Sequence, residues 1–475
     1  MSNKNAILLS SLFSRYADHI ALSVIHEKIS WSDLLRRVQN RQQTLHKTGL
    51  AGGDKCAIYA HASLDYIETL LAMWFGSIIA VPLNIRFPGS QIAKMLGMIK
   101  CNNVMCDPQN NLQGSFNSLK FPQSKNNISN GSVSALKANM DNPATIIFTS
   151  GSSGSGKACL HTYGNHYFSA LGSNENIQLN PGDRWLLSLP LYHVAGIAIL
   201  FRCLVSGATI CIPHPESSLE ESLELFKPTH LSLVAAQLHQ LMQNERATQH
   251  LKSAKAILLG GSAIPETLIE HACANQLPIF TSYGSTEMSS QITTTRPGDS
   301  LKHLKTSGVV LKHREIKIGA DGEILVRGKT LFQGYVHGDD LLSAVDDNGW
   351  FHTSDLGELD SAGYLRVLGR KDNMFISGGE NIYPEEIERA IEQLNGVIQA
   401  VIVPIDKTKF GKRPVAFVHL RHGFNVQDID RDELRAVLPG YKIPDYFFEW
   451  QTSGNILKPN RQELQKRAAK LTKSS

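Results

Sequence analysis

Short, fully apolar runs recur between residues 56 and 260, and most are separated by segments with a helical pattern. The runs are CAIYA, SIIAVPL, TIIFT, WLLSLPL, TICIP, HLSLVAA and KAILLG. Apolar runs of this length without polar alternation are typical of strands that are buried on both faces of a sheet. The pattern therefore predicts an α/β protein with largely parallel strands covered by helices.

Two segments near the N-terminus carry clear helix signals. Ser32 is the first residue of the segment SDLLRRVQNRQQTLHKTGL, and we predict that it caps a helix ending at Gly49. The longest uncharged run, Thr69–Ile85, is interrupted by Pro82 and falls short of the roughly 20 apolar residues of a membrane span. We predict a buried helix followed by a buried strand there, and no stable membrane insertion.

The pattern changes in the second half of the chain. Residues 107–143 are Asn/Ser-rich and poor in aliphatic side chains, which favours a surface connection. REIKIGADGEILVRG predicts two strands around a Gly/Asp turn. From Lys371 onward, AVIVPI and PVAFVHL predict strands, and helices are predicted over 384–395 and 431–438. This mixture indicates a small α+β domain at the C-terminus.

Composition excludes several classes of protein. The 475 residues are 42% hydrophobic and 19% charged, with a net charge of +4, which gives no reason to expect a nucleic-acid partner. The seven cysteines are scattered and lack the spacing of a zinc site. Such cysteines suit reduced thiols, so we expect a cytoplasmic protein.

The segment TSGSSGSGKACLHT, Thr149–Thr162, contains the GxxxxGK pattern of a nucleotide-binding P-loop. However, Ala158 stands where a Ser or Thr would bind magnesium, and ACLHT predicts a strand where a P-loop needs a helix. Hydroxyls, glycines and Lys157 could still surround an anion. From these residues alone, an ordinary Gly/Ser loop and a phosphate-binding loop of another kind both stay open.

The same segment resembles the phosphate-contacting loop of the adenylate-forming superfamily, which comprises acyl-CoA synthetases, adenylation domains and luciferases. Six further segments match motifs of the superfamily in its order: SLPLYHVAG, ILLGGSAIP, TSYGSTEMSS, NGWFHTSDLGELD, GRKDNMFISGGENIYPEEIE and SGNILKPNRQEL. The resemblance implies a large N-terminal domain, residues 1–371, of α/β subdomains with parallel-rich sheets and a small β-barrel-like part. It also implies a small mobile α+β domain, residues 372–475.

The resemblance further implies a binding site for ATP or AMP. Tyr283 would stack on adenine, Thr286 would contact phosphate, and Glu287 would support magnesium, for which a carboxylate is a natural ligand. Asp355, in a strand-to-turn context, would accept hydrogen bonds from both ribose hydroxyls, and Arg370 would bind ribose or phosphate. The other nucleotide-binding candidates are Thr149 (also a magnesium candidate), Ser150, Gly151, Ser152, Ser153, Gly154, Gly260, Gly261, Ser262, Gly284 and Ser285.

Two lysines and a hinge are implied as catalytic parts. Lys157 would contact the leaving pyrophosphate, and Lys458 would bridge the attacking carboxylate and the α-phosphate, offsetting the repulsion between two anions. The small domain would rotate about Asp372 between two poses. One pose would deliver Lys458. The other would bring in a loop for thiol attack, formed by Ser377, Gly378, Gly379, Glu380 and Asn381.

The acyl side of the site is implied to include His193, Gly261 and Ser262, where Ser262 replaces the usual alanine. We hypothesise that Arg202 also lies there. Arg202 is the single charge in the apolar segment VAGIAILFRCLVSGA. A buried arginine requires a partner. That partner is either a carboxylate of the protein or a second carboxylate on the substrate.

Within the superfamily the chain most resembles the o-succinylbenzoate–CoA ligases, on its short length, the motifs through LSLPLYHVAGIAILFR and the K-x-x-R ending. This implies activation of 2-succinylbenzoate by ATP with Mg²⁺ and transfer to coenzyme A in menaquinone biosynthesis. The alternatives are a ligase for another carboxylic acid, a P-loop-type kinase, and a nucleotide-binding protein without catalysis. Whether the chain forms a homo-oligomer stays open.

Overall fold

The computed structural model describes residues 6–107, 112, 116–122, 137–149, 156–407, 411–450 and 460–472. The helices in these parts of the chain are α1 Leu9–Arg15, α2 Trp31–Lys47, α3 Leu64–Phe75, α4 Gly89–Met98, α5 Tyr163–Ile177, α6 Val194–Ser206, α7 Leu219–Phe226, α8 Ala235–Met242, α9 Glu245–Lys252, α10 Glu266–Ala274, α11 Leu301–Leu304, α12 Pro384–Glu392, α13 Arg431–Val437 and α14 Arg461–Leu471. Short 3-10 helices span Lys371–Asn373, Val426–Asp428 and Gly440–Lys442.

The strands in the same parts of the chain are β1 Ala6–Leu8, β2 Ile20–Ser23, β3 Lys28–Ser30, β4 Lys55–Tyr59, β5 Ile79–Pro82, β6 Asn103–Cys106, β7 Asn117–Leu119, β8 Lys137–Asn139, β9 Pro143–Phe148, β10 Ala158–Thr162, β11 Arg184–Leu186, β12 Thr209–Cys211, β13 His230–Leu233, β14 Ala256–Leu259, β15 Ile279–Ser285, β16 Ser290–Thr294, β17 Val309–Val310, β18 Arg314–Ile318, β19 Glu323–Gly328, β20 Gly334–His337, β21 Asp340–Leu342, β22 Phe351–Leu359, β23 Leu365–Arg370, β24 Phe375–Ser377, β25 Glu380–Ile382, β26 Val397–Lys407, β27 Gly411–Leu420 and β28 Tyr446–Glu449.

Two large sheets carry most of the chain up to residue 342. One has eight strands in the order β21-β20-β10-β9-β5-β4-β6-β7, and the other has nine in the order β17-β16-β15-β14-β13-β11-β12-β2-β3. Their central pairs are parallel, for example β4 with β5 and β13 with β14. Every residue of β5 and of β14 is buried, which is why these strands read as unbroken apolar runs. The predicted α/β class is confirmed.

Helices α3, α5 and α6 form the centre of the largest hydrophobic core. Trp74 of α3 packs against Phe201 of α6 with ring centroids 4.9 Å apart, and it donates its indole N–H to the carbonyl of Ala144. The hydroxyl of Tyr163 on α5 donates to the carbonyl of Trp74 at 2.6 Å. Because α3 is covered on nearly all sides, its sequence lacks the polar stripe of a surface helix.

Four local predictions need correction. Ser30, rather than Ser32, caps α2, because Ser30 is extended and its hydroxyl accepts the N–H of Asp33, while Ser32 already lies in the first turn. The same helix ends at Lys47 instead of Gly49. The helices predicted to end at 395 and 438 end at Glu392 and Val437.

The segment 107–143 contains more than a surface connection. Strand β7 lies within it and pairs with β6, and strand β8 pairs with β1. Much of the remainder lies outside the described residues. Polar Asn/Ser composition concealed these edge strands, because edge strands need no apolar run to form.

The last third of the chain forms two smaller sheets. The first is antiparallel with the order β18-β19-β22-β23, and the second joins β25-β24-β27-β26, with β28 added beside β27. Helix α12 begins with Pro384 and has two glutamates in its first turn, a favourable helix start. The division at Asp372 and the rotation of the small domain stay predictions.

In the parts of the chain that the structure describes, no helix combines the length and the apolar character of a membrane span.

Candidate active site

Two of the predicted site segments lie where parallel strands of the nine-stranded sheet end. Gly260–Ser262 follows β14, and Tyr283–Glu287 runs along and beyond the end of β15, the parallel neighbour of β14. Ligands of open α/β sheets bind outside the carboxyl ends of their strands. Gly261 has a φ of +85°, a backbone conformation that favours glycine. A Cβ on Gly260 would lie 2.7 Å from the hydroxyl oxygen of Ser282, so a larger residue would displace that hydroxyl.

Three of the predicted nucleotide residues touch one another. The hydroxyl of Tyr283 donates to Asp355 Oδ2 at 2.6 Å, and Arg370 Nη1 donates to Asp355 Oδ1 at 2.8 Å. Burial and the Asp355 carboxylate hold the pKa of Tyr283 well above its ordinary value, so the phenol keeps its proton. Burial alone would lower the pKa of Arg370, but Asp355 and Asp372 raise it. At this end of the predicted site, protein carboxylates compensate the positive charge of Arg370.

The position of Asp355 corrects the sequence prediction. It lies inside β22, directly across from Arg370 of β23, rather than between a strand and a turn. Ser354 before it has a φ of +59°, and the β22–β23 register shifts between Leu356 and Gly357. The irregular backbone explains why the sequence suggested a turn.

Thr149 and Lys157 close the base of the predicted phosphate loop. The N–H of Thr149 donates to the carbonyl of Lys157 at 2.9 Å, and the N–H of Lys157 donates to the Thr149 hydroxyl at 3.1 Å. Gly156 has a φ of +65°, and a Cβ there would lie 2.4 Å from the Thr149 carbonyl oxygen, so only glycine fits. Strand β10, instead of a helix, follows Lys157, which does not fit a P-loop.

Six of the predicted site residues lie outside the described residues and stay predictions. They are Ser150, Gly151, Ser152, Ser153, Gly154 and Lys458.

Sequence reasoning missed two residues beside the YGSTE segment. The hydroxyl of Tyr335 donates to Glu287 Oε1 at 2.9 Å, and Lys157 Nζ lies 4.8 Å from the centre of the Tyr335 ring. His161 Nε2 lies 2.7 Å from the carbonyl oxygen of Thr286. Burial lowers the pKa of His161 to about 4, so the ring is neutral and donates this bond. Pairing between strands that are distant in the sequence brings Tyr335 and His161 beside the YGSTE segment. No local sequence motif indicates this proximity.

Glu287 and Thr149 fit the requirements of a magnesium ion that is bound mainly through phosphates. The described residues contain no cluster of three or more His, Cys, Asp or Glu side chains arranged to hold a metal. Only Oε1 of the half-buried Glu287 is hydrogen-bonded to a described side chain. One carboxylate and one hydroxyl suit Mg²⁺, which retains several water and phosphate ligands.

The acyl side of the site contains a different arrangement around Arg202. This side chain lies on α6 and is only 1% exposed. Its Nη2 donates to Gln291 Oε1 at 2.7 Å and to the Ser290 hydroxyl at 3.4 Å, and its guanidinium lies 5.0 Å from the centre of the Trp185 ring. No carboxylate of the described residues forms an ion pair with it. Of the two partners that the sequence left open, a protein carboxylate is not found in that part of the structure.

A second buried arginine, Arg314, adjoins the first. Its Nη1 donates to the backbone carbonyl of Gln291 at 2.7 Å and its Nη2 to the carbonyl of Ser169 at 3.2 Å. Burial lowers the pKa of Arg202 to about 10 and that of Arg314 to about 9, the latter with a smaller contribution from Arg202. Both therefore remain positively charged at neutral pH. The interior here carries two cations that only neutral acceptors contact within the described residues.

The other acyl-side candidate, His193, stands at the N-cap of α6. It is half-buried, with its ring centroid 4.7 Å from that of Tyr192. The predicted hinge, Asp372, is exposed in the 3-10 helix Lys371–Asn373. The predicted loop for thiol attack forms the β24–β25 turn, where Ser377 is buried and Gly378, Gly379, Glu380 and Asn381 are exposed.

Comparison with protein families decides the class of this site. The family model described as AMP-binding enzyme matches residues 11–336. The chain belongs to the AMP-binding enzyme family. Membership in this family confirms the resemblance on which the nucleotide site was predicted.

Individual members of the AMP-binding enzyme family show which of its proteins this chain is similar to. The chain is 31% identical over 445 residues to a protein of Geobacillus sp. named 2-succinylbenzoate–CoA ligase, covering 89% of this chain and 88% of the relative. This confirms the predicted narrower resemblance. The roles of the individual site residues stay predictions.

Solved structures show the same similarity to 2-succinylbenzoate–CoA ligases. An arginine-to-lysine variant of E. coli MenE with bound OSB-AMS matches with a TM-score of 0.87 at 30% identity, covering 98% of this chain and 99% of that one. The o-succinylbenzoate CoA synthetase (MenE) from Bacillus subtilis in complex with the acyl-adenylate intermediate OSB-AMP matches at 0.85 and 29% identity, with 96% and 97% covered. The Bacillus subtilis enzyme with ATP and magnesium ion matches at 0.86 and 28% identity, with 97% and 99% covered.

Proposed function

We propose that this protein is an AMP-forming acid–thiol ligase that activates 2-succinylbenzoate and transfers it to coenzyme A. The products are 2-succinylbenzoyl-CoA, AMP and pyrophosphate, and the reaction belongs to menaquinone biosynthesis. The observation that carries the choice of acid is the buried Arg202, which no described carboxylate pairs with. A substrate with a second carboxylate supplies the missing anion. The names of the relatives support the same acid.

In the first half-reaction, an oxygen of the succinyl carboxylate attacks the α-phosphorus of ATP. The bond to the β-phosphate breaks, pyrophosphate leaves, and an acyl-adenylate forms. Tyr283, Asp355 and Arg370 hold the nucleoside, and the ammonium of Lys157 stabilises the negative charge on the departing pyrophosphate. The ring carboxylate stays unreacted against Arg202.

Glu287 and Thr149 would hold the magnesium ion, which supplies charge neutralisation for the phosphates. Lys458 is proposed to stabilise the meeting of the carboxylate with the α-phosphate. No side chain acts as a nucleophile, so positioning and electrostatics account for the rate.

In the second half-reaction, the thiolate of coenzyme A attacks the acyl carbon. The bond between that carbon and the phosphate oxygen breaks, and AMP leaves with the electron pair. We propose that the small domain rotates about Asp372 before this step and brings the loop Ser377–Asn381 to the site. Both half-reactions then use one acyl pocket.

One incubation tests the reaction and the substrate together. The protein is mixed with 2-succinylbenzoate, ATP, Mg²⁺ and coenzyme A, and the nucleotide and the thioester are identified by chromatography and mass spectrometry. AMP, pyrophosphate and a thioester of the expected mass support the proposal. Release of ADP would overturn the reaction class. AMP that appears only with another carboxylic acid would overturn the substrate and leave the class intact.

The cellular setting is also a proposal. All seven cysteines are free, and four of them are completely buried. Free, dispersed thiols suit a reducing compartment, which supports the cytoplasm. The proposed chemistry makes no use of a second copy of the chain.

A further inference from the structure

Tyr335 reaches the phosphate end of the proposed site through strand pairing. Strand β20 pairs antiparallel with β10, so that Tyr335 stands opposite Cys159. Lys157 directly precedes β10, two positions before Cys159, and its Nζ lies 4.8 Å from the centre of the Tyr335 ring.

The hydroxyl of the same tyrosine reaches Glu287. It donates to Glu287 Oε1 at 2.9 Å. Burial, with a contribution from Glu287, raises the pKa of Tyr335 far above its ordinary value, so the phenol stays protonated and remains a donor. Phe332 fixes the arrangement, because its ring packs edge-on against Tyr335 at 4.8 Å and its N–H donates to the Glu287 carbonyl at 2.7 Å.

Tyr335 thus stands between two opposite charges that do not pair directly. Lys157 forms no ion pair with a carboxylate in the described parts of the chain, although Glu287 binds the other side of the same tyrosine. If the Lys157 ammonium and the Glu287 carboxylate paired directly, each would neutralise the other and neither would be available to Mg-ATP. The phenol separates them while holding both in place, since its ring face attracts a cation and its hydroxyl binds an anion.

We propose that Tyr335 is a positioning residue that holds Glu287 toward the cation of Mg-ATP and Lys157 toward its phosphates. The proposal rests on the proposed function for the use of Mg-ATP and is independent of which acid is activated. The role that it assigns to Tyr335 acts through the two charged neighbours, Glu287 and Lys157.

Calorimetry of ATP binding, with Mg²⁺ and with excess EDTA, tests this without turnover. Tyr335→Phe keeps the ring and removes the hydroxyl. We expect ATP binding in Mg²⁺ to weaken about tenfold, as for loss of a hydrogen bond to a charged group, and binding in EDTA to change less than about twofold. Tyr335→Leu also removes the ring, so we expect binding in EDTA to weaken by a further factor of about three. Wild-type affinity of Tyr335→Phe in Mg²⁺, or equal losses with and without the metal, would overturn the proposal.

Tyr364→Phe is the matched control. Tyr364 donates to Asp299 Oδ1 at 2.7 Å, a bond of the same type that lies outside the proposed site. This variant should bind Mg-ATP as the wild type does. If it lost as much affinity as Tyr335→Phe, the effect would be general packing and the positioning role would be wrong.

A half-reaction assay separates this proposal from the proposed function. Tyr335→Phe should slow acyl-adenylate formation about tenfold while leaving thioester formation from preformed adenylate within about twofold, since that step involves no triphosphate. Equal slowing of both steps would count against Tyr335 as a phosphate-end residue. If the wild type binds Mg-ATP but never adenylates 2-succinylbenzoate, the proposed function fails, and the binding measurements still decide the role of Tyr335.

Discussion

Arg370 lies at the nucleotide end of the proposed site and Arg202 at the acyl end. The two arginines differ in exposure, in the charge of their partners and in the direction of their pKa shifts. The side chain of Arg370 is 43% exposed and contacts two carboxylates, Asp355 at 2.8 Å and Asp372 at 3.2 Å. Arg202 is 1% exposed and donates to the neutral side chains of Gln291 and Ser290. The carboxylates raise the pKa of Arg370 despite burial, whereas burial lowers that of Arg202 to about 10.

The contrast indicates whether the arginine at each end of the site has its counter-charge before a ligand binds. At the nucleotide end, two protein carboxylates compensate the positive charge of Arg370, and Tyr283 and Arg370 already hold Asp355, so the proposed frame for the nucleoside is assembled without a ligand. At the acyl end the described residues leave the positive charge without a counter-charge, and an unpaired buried charge is costly. Gln291 orients the guanidinium of Arg202 without neutralising it. The second carboxylate of the acid would therefore supply the counter-charge that Arg202 lacks at the acyl end.

The largest expected effect comes from Arg202→Ala. This variant removes the charge and the forked donor, so kcat/KM for 2-succinylbenzoate should fall on the order of a hundredfold, mainly through KM. The KM for ATP should change less than about twofold, since the nucleotide frame is intact. Steady-state kinetics with each substrate varied in turn measure both values.

An acid analogue that lacks the ring carboxylate is the control for Arg202. Its kcat/KM should be similar for the wild type and for Arg202→Ala, because it has no anion to place against the guanidinium. Arg202→Lys should lie between the two, since lysine keeps the charge but loses the bidentate geometry. An unchanged KM of Arg202→Ala for 2-succinylbenzoate would contradict the assignment.

Lys157→Ala tests the phosphate end of the nucleotide region. Formation of the acyl-adenylate should slow about thirtyfold, because the departing pyrophosphate loses a cation, while thioester formation from preformed adenylate stays within about twofold. Rapid-quench measurement of each half-reaction distinguishes the two. Lys329→Ala is a suitable control, since Lys329 also lies over an aromatic ring, that of Phe168 at 4.4 Å, but outside the site. Equal losses in both half-reactions would argue against the role of Lys157.

Gln291→Glu would convert the acyl end into a copy of the nucleotide end. The new carboxylate would pair with Arg202 and compete with the substrate, so the KM for 2-succinylbenzoate should rise about tenfold. Thermal stability should change little, because a buried cation gains a counter-charge while the Thr294 hydroxyl loses the amide donor of Gln291. Kinetics together with a melting curve test this. An unchanged KM would mean that the charge of Arg202 is not what binds the acid.

The sequence predicted the parts of the fold that burial dictates. Strands β5 and β14 are covered on both faces, and their apolar runs were visible without a structure. The predicted cap of α2 was wrong. Ser30 and Ser32 are the same residue type and equally suitable as caps, and the path of the preceding chain selects between them. Ends of helices depend on such tertiary details more than their interiors do.

The candidate site was predictable as a set of residue types but not as a geometry. Tyr283, Asp355 and Arg370 were named from separate motifs, and their mutual contacts arise from the β22–β23 register. Tyr335 and Gln291 were missed, since each acts through a neighbour that is distant in the chain. A tyrosine in a strand or a glutamine in a buried sheet carries no local signal of such a role.

Tyr283→Phe should have the smallest effect of these variants. It keeps the ring that is proposed to stack on adenine and removes only the hydroxyl that donates to Asp355 Oδ2. Because Arg370 still holds Oδ1 of Asp355, the KM for ATP should rise only about threefold, as for one modest hydrogen bond. The KM for 2-succinylbenzoate should stay unchanged in the same steady-state assays. A rise in the acid KM as large as that for ATP would show that the two ends respond together. The contrast between a compensated Arg370 and an uncompensated Arg202 would then no longer explain how the protein selects its acid.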